Sequence, residues 1–174
     1  MKCHPYFAPQ IYQKDCLIAA LKTYLATAAK DQNYLYLGNP HFQDEKFSFY
    51  DAICLGAKHG FTLKAYETTF EQLIKQVPCL INLNLPQSVH SVYLHQVKKN
   101  QYCFFDPLFG KTLLDSATLA SLFSGRILKI TAISRQKTSR RHRLFKKATS
   151  FTILVQVVSF LVTLLCCYFF QESS

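Results

Sequence analysis

The sequence predicts an α+β domain, helices first and antiparallel strands last, followed by one C-terminal transmembrane helix. Three observations carry this. Apolar residues recur at spacings of three and four from Leu17 to Ala28; two strand-like runs, HSVYLHQV and QYCFF, are separated only by Lys98, Lys99 and Asn100; and Phe151 to Phe170 holds 20 residues without a charge.

The elements follow in order along the chain. After an entry marked by Pro5 and Pro9, Asp15 is placed to cap a helix that starts at Asp15-Cys16, with the stripe Leu17, Ala20, Leu21, Tyr24, Leu25 and Ala28. A loop around Gly38, Asn39 and Pro40 leads to a second helix, roughly Ser48 to Lys58, closed by the His59-Gly60 pair. Phe61 to Tyr66 reads as a strand and Thr69 to Gln76 as a short helical piece. The run CLINLNL, opened by Pro78 and stopped by Pro86, reads as a buried strand. Beyond the turn DPLFGK come Leu113-Leu114, a helical piece around Ser116 to Phe123, and the strand RILKITAI, so the domain covers residues 1–134.

The link between HSVYLHQV and QYCFF sets a register. If Val97 faces Gln101 across a three-residue connection, Val92 faces Asp106, and His90 lies diagonally beside Asp106 on the same sheet face. His95 then points to the opposite face.

Charge patterning places the tail. Of 20 Lys and Arg residues, seven fall between Arg135 and Lys147 with no acid among them; the remaining 13 nearly balance the 10 Asp and Glu. Residues 135–150 therefore read as a basic juxtamembrane linker and 151–170 as a single transmembrane helix, since 20 residues at about 1.5 Å each span the roughly 30 Å hydrocarbon core. The positive-inside bias puts the domain on the cytoplasmic side of the cell membrane, with anionic headgroups and not nucleic acid as the partner of the basic run. The N-terminal residues show no apolar h-region or small-residue cleavage site, so nothing in them suggests secretion. The seven cysteines, Cys3, Cys16, Cys54, Cys79, Cys103, Cys166 and Cys167, lack the paired spacing of a zinc site, so no metal or other cofactor is implied.

Cys16, in the first turn of a helix, sits where unpaired backbone N–H groups favour thiolate. His90 is placed to act as its base and imidazolium partner, Asp106 to accept the other ring N–H, and Gln10 to offer its side-chain amide beside the Cys16 N–H as an oxyanion donor. Taken singly, each has an ordinary structural role: a core cysteine, a satisfied strand histidine, a turn-forming Asp before Pro107, a loop glutamine.

The segment PQIYQKDC at 9–16, with a histidine followed sixteen residues later by Asp-Pro, resembles the leader-peptidase domain of bacteriocin-processing ABC transporters, a group of papain-like cysteine peptidases. The resemblance runs through FSFYDAICLGAKHGFTLKAYE, VPCLINLNL and SLFSGRILKI, covering residues 5 to about 133, and Phe151 to Gln171 resembles the first transmembrane helix of such a transporter. It implies a papain-like fold, a triad of Cys16, His90 and Asp106 with Gln10 at the oxyanion hole, and cleavage of Gly-Gly leaders from bacteriocin or peptide-pheromone precursors. The leader-bearing precursor and the membrane are then its partners, with the transporter's remaining membrane and ATP-binding parts on another chain, since no GxxxxGK[ST] loop is present. The chain departs from the family at Leu17, where a small residue is usual, and at Ser91, where an aromatic is usual. A non-catalytic docking module and a decayed transporter fragment are the alternative readings.

Overall fold

The computed structural model describes residues 6–12, 14–38 and 47–134. Met1–Ser134 forms one compact unit. The expected loop at Asn39-Pro40, the basic segment 135–150, the span 151–170, and Cys3, Cys166 and Cys167 lie outside the described residues. Among the described residues no helix is long and apolar enough to cross a membrane.

Helix α1 (Cys16–Ala29) begins at the expected residue, and its stripe is buried: Leu21 and Leu25 are inaccessible to solvent. Asp15 occupies the N-cap position, but its side chain makes no capping hydrogen bond, contrary to the sequence expectation. The reason is local: at φ −94° and ψ 7°, its backbone is not in the extended conformation that swings a cap side chain over the next N–H groups. A 3-10 turn at Gln32–Tyr36, not anticipated from sequence, follows α1, with Asp31 accepting from the Asn33 N–H. Helix α2 (Phe49–Lys58) opens on a reciprocal capping box between Ser48 and Asp51, and Gly60, at φ 81°, closes it. Gly56 lets α2 approach strand β1 (Phe61–Glu67): a Cβ there would run into the Leu63 side chain.

The chain continues through α3 (Phe70–Leu73), a 3-10 turn at Ile74–Gln76, β2 (Cys79–Leu85), β3 (Ser88–Lys98), β4 (Gln101–Asp106), β5 (Gly110–Asp115), α4 (Ser116–Leu122) and β6 (Phe123–Ile133). The expected turn falls at residues 107–109 between β4 and β5, Leu113-Leu114 belong to β5, and the last strand starts three residues before Arg126. The sheet is antiparallel throughout, in the order β1-β6-β2-β3-β4-β5.

Alternating residues of the sheet build two cores. Leu80, Tyr93, Phe105 and Leu128 pack with Leu17, Leu21, Tyr24 and Leu25 of α1. Their neighbours Ile81, Val92, Leu94, Phe104 and Ile127 pack with Leu73 of α3 and Leu119 of α4. Each fully buried aliphatic side chain contributes about 1.5–3 kcal/mol. Polar contacts fix how α1 lies on the sheet: the Tyr24 hydroxyl donates to the Pro78 carbonyl (2.8 Å) and accepts from the Ile130 N–H (3.0 Å), and its ring stacks on Tyr93 at 4.8 Å.

The β3–β4 hairpin corrects the predicted link. Lys98 pairs with Gln101, so the loop has two residues, Lys99 and Asn100, both with positive φ (49° and 62°). Two consecutive left-handed residues match the twist of the flanking strands better than a three-residue connection does. A bulge between Leu94 and Gln96 then shifts the register by one, so that Tyr93 faces Phe105. Beyond the bulge the strands run in the predicted register.

Candidate active site

Three side chains from three elements converge where α1 meets the sheet. Cys16 is the first residue of α1, His90 lies near the start of β3, and Asp106 ends β4. All three are buried. His90 Nε2 lies 3.1 Å from Asp106 Oδ2. Asp106 Oδ1 is occupied elsewhere, accepting from the N–H groups of Leu108 (2.8 Å) and Phe109 (3.3 Å). The carboxylate therefore closes the turn after β4 and holds the imidazole, combining the structural and the chemical roles that sequence treated as rivals.

The protonation tendencies follow from this packing. Burial pushes the Cys16 thiol up, but the His90 imidazole and the N–H and hydroxyl of Ser91 favour the thiolate more strongly, leaving its pKa below the ordinary 9.0. Burial pulls His90 down, yet hydrogen bonding to Asp106 and Cys16 raises it to about 9. Burial raises Asp106, and His90 with the Leu108 and Phe109 N–H groups returns it below the ordinary carboxylate range. The packing thus favours the thiolate of Cys16 and the imidazolium of His90 together, with a carboxylate behind them. Cys79 is the contrast: buried in the second core, its thiol is pushed up to about 12.

His95 sits elsewhere. Its Nδ1 is 3.1 Å from the Tyr93 hydroxyl, its ring packs on Phe105, and burial followed by nearby Lys111 lowers its pKa. Gln10 is tied to the site through its backbone, its N–H donating to the Pro107 carbonyl at 2.9 Å. Its side-chain Nε2 donates to the Tyr12 carbonyl at 2.6 Å, and Oε1 is buried without a partner. One N–H of that amide thus remains for other work.

A cleft of about 300 Å³ opens beside Cys16, walled by Leu17, Phe47, Asn82, Val89 and Ser91, with Lys14 and Arg126 at its rim. Both residues that depart from the family pattern, Leu17 and Ser91, line it. Asn82 was not anticipated; the sequence signal was the pair of amides, Asn82 and Asn84, in the otherwise apolar run CLINLNL. Among the described residues no group of three or more His, Cys, Asp or Glu side chains is placed to hold a metal ion.

The model of the peptidase C39 family matches residues 5–135. The chain belongs to this cysteine peptidase family. Solved structures share the C39 fold. A double glycine motif protease from an AMS/PCAT transporter, crystallised with its leader peptide, matches with TM-score 0.59 and 22% identity over 71% of this chain and 88% of that one. The peptidase domain of Streptococcus ComA, a bifunctional ABC transporter of a quorum-sensing pathway, gives TM-score 0.59 and 18% identity over 72% and 96%. The C39-like domain of a toxin secretion ATP-binding protein from Vibrio parahaemolyticus gives 0.52 and 15% over 69% and 100%. No curated protein matches the chain.

Proposed function

We propose that this C39 domain is a cysteine endopeptidase that removes Gly-Gly leaders from bacteriocin or pheromone precursors. In this reading residues 151–170 anchor it in the cell membrane, the catalytic domain faces the cytoplasm, and it works with a peptide-exporting ABC transporter. The observation that carries the reading is the assembly of Cys16, His90 and Asp106 at the head of α1, with a depressed thiol beside a raised imidazole.

The Cys16 thiolate attacks the carbonyl carbon of the second glycine. The Cys16 N–H and the Gln10 amide face the developing oxyanion, whose charge exists only in the tetrahedral state. His90 gives its proton to the leaving nitrogen as the C–N bond breaks, leaving a thioester between Cys16 and the leader. Water then attacks the thioester, passing a proton to His90, and the leader departs as a carboxylate with the thiolate restored. Asp106 accepts the Nε2–H throughout, which turns Nδ1 toward the sulfur and stabilises the imidazolium. Glycines suit the position because they let the peptide backbone come close to the walls of a narrow cleft.

The test is cleavage by the full chain of a synthetic precursor with a Gly-Gly leader. Wild type is expected to cut after the second glycine, and Cys16→Ala to leave the peptide intact. Equal behaviour of the two would overturn the reading.

A further inference from the structure

Ser91 and Asn82 face each other across β3 and β2, and both wall the cleft beside Cys16. Ser91 is 4% exposed, and its hydroxyl donates to Asn82 Oδ1 at 2.7 Å. The same hydroxyl shares the lining of this cleft with Cys16, whose thiolate it favours. A serine has one hydroxyl proton, so it cannot serve both acceptors at once. A carboxamide resolves the conflict: turned by 180°, it puts its NH2 where its oxygen was, keeps the contact with Ser91, and donates where it had accepted.

We infer that Ser91 is a positioning residue for the Cys16 nucleophile, its hydroxyl proton switching between Asn82 and the Cys16 sulfur as the Asn82 amide reverses. With the thiolate present, Asn82 donates to Ser91 and Ser91 donates to the sulfur. Once the sulfur is bonded to an acyl group its charge is gone, and the Ser91 proton returns to Asn82 Oδ1. The chain Asn82–Ser91–Cys16 thus supports the thiolate from the cleft wall while His90 supports it from the other strand position. This inference rests on the reading of Cys16 as a thiolate nucleophile.

The charged and titratable groups near Cys16 are Asp15, which precedes it, Lys14 and Arg126, which line the same cleft, His90 on β3, and Asp106, which His90 contacts from β4. Substituting Ser91 leaves all of them in place. The experiment is the pH dependence of iodoacetamide alkylation of the full chain, with the Cys16 adduct quantified by peptide mass spectrometry. Wild type is expected to show a midpoint below that of an ordinary thiol. Ser91→Ala should raise it by about one pH unit, a roughly tenfold loss of thiolate at fixed pH below both midpoints. Ser91→Thr, which keeps the hydroxyl, should restore it. Asn82→Asp, whose oxygens only accept and so retain the Ser91 proton, should raise the midpoint in wild type and raise it less in the Ser91→Ala background. A Ser91→Ala profile that overlays wild type, or an equal Asn82→Asp effect in both backgrounds, would overturn the inference. An ordinary midpoint for wild type itself would instead overturn the reading of Cys16 on which it rests.

Discussion

His90 and Asp106 are joined through one carboxylate oxygen, Oδ2, while the other oxygen accepts two backbone N–H groups of the turn that follows. The division separates two substitutions that remove the same charge. Asp106→Asn keeps an acceptor for the turn and, by facing its NH2 to His90, forces the wrong tautomer. Its expected signature is near-native thermal stability with turnover lowered on the order of 10²-fold or more. Asp106→Ala leaves the turn N–H groups unserved as well and should cost an additional 1–3 kcal/mol, roughly, in urea unfolding. Equal stability losses for the two variants would show that the turn does not depend on Oδ1.

The register that joins these residues was legible in the sequence only at one end. The two-residue turn at Lys99-Asn100 displaces every pair near the loop by one position from the expected alignment, and the bulge at His95 displaces them back. Bulges leave little trace in an alternating apolar pattern, because the extra residue is itself placed among buried neighbours. The placement of His90 beside Asp106 was therefore reached through a link whose local geometry is different. Cys16 at the start of α1 was readable from the apolar stripe behind it, because helical periodicity fixes an element's beginning when the preceding residues break it. The pair of Asn82 and Ser91 was not readable: cross-strand partners depend on the β2–β3 register, which no single segment encodes.

The directions of the two key pKa shifts define a window for activity. The thiolate forms as pH rises through a value below 9.0, and the imidazolium is lost as pH rises through about 9. kcat/KM should therefore rise on the acid side below the ordinary thiol range and fall again near pH 9. For stability the signs differ by residue. His90 has a folded pKa above its ordinary 6.5, so its contribution is complete below about that pH and disappears as pH rises through about 9. Asp106 has a folded pKa below its ordinary 3.8, so its contribution is present above 3.8 and disappears as pH falls below it. Tm measured against pH for wild type and His90→Ala should converge at the alkaline end; a difference constant across pH would contradict the raised His90 pKa.

Gln10→Ala separates an oxyanion role from a loop role. Loss of one oxyanion donor typically costs on the order of 3 kcal/mol, a hundredfold or more in rate, with leader binding little changed. Loss of a loop side chain would shift stability by about half a kcal/mol and leave rate alone. Because the Gln10 N–H to Pro107 bond belongs to the backbone, Ala keeps the loop in place. Single-turnover cleavage at matched folded fractions, alongside leader affinity, reads the two apart, and an unchanged rate would remove Gln10 from the oxyanion site.

The proposed anchor predicts where the full chain partitions. Seven basic residues between Arg135 and Lys147 followed by 20 uncharged ones should hold it in the membrane fraction, and protease added to intact cells should leave residues 1–134 uncut. Recovery of the full chain in a detergent-free soluble fraction would contradict the anchor.

In the proposed mechanism Cys16 carries the leader as a thioester between the two halves of the reaction. Acid quenching of the full chain within one turnover on a Gly-Gly precursor, followed by mass spectrometry of its peptides, tests this directly. A leader-sized acyl adduct on Cys16 is expected, absent from Cys16→Ala and strongly reduced in His90→Ala. Release of leader with no adduct on Cys16, or an adduct on Cys54, Cys79 or Cys103 in its place, would contradict it.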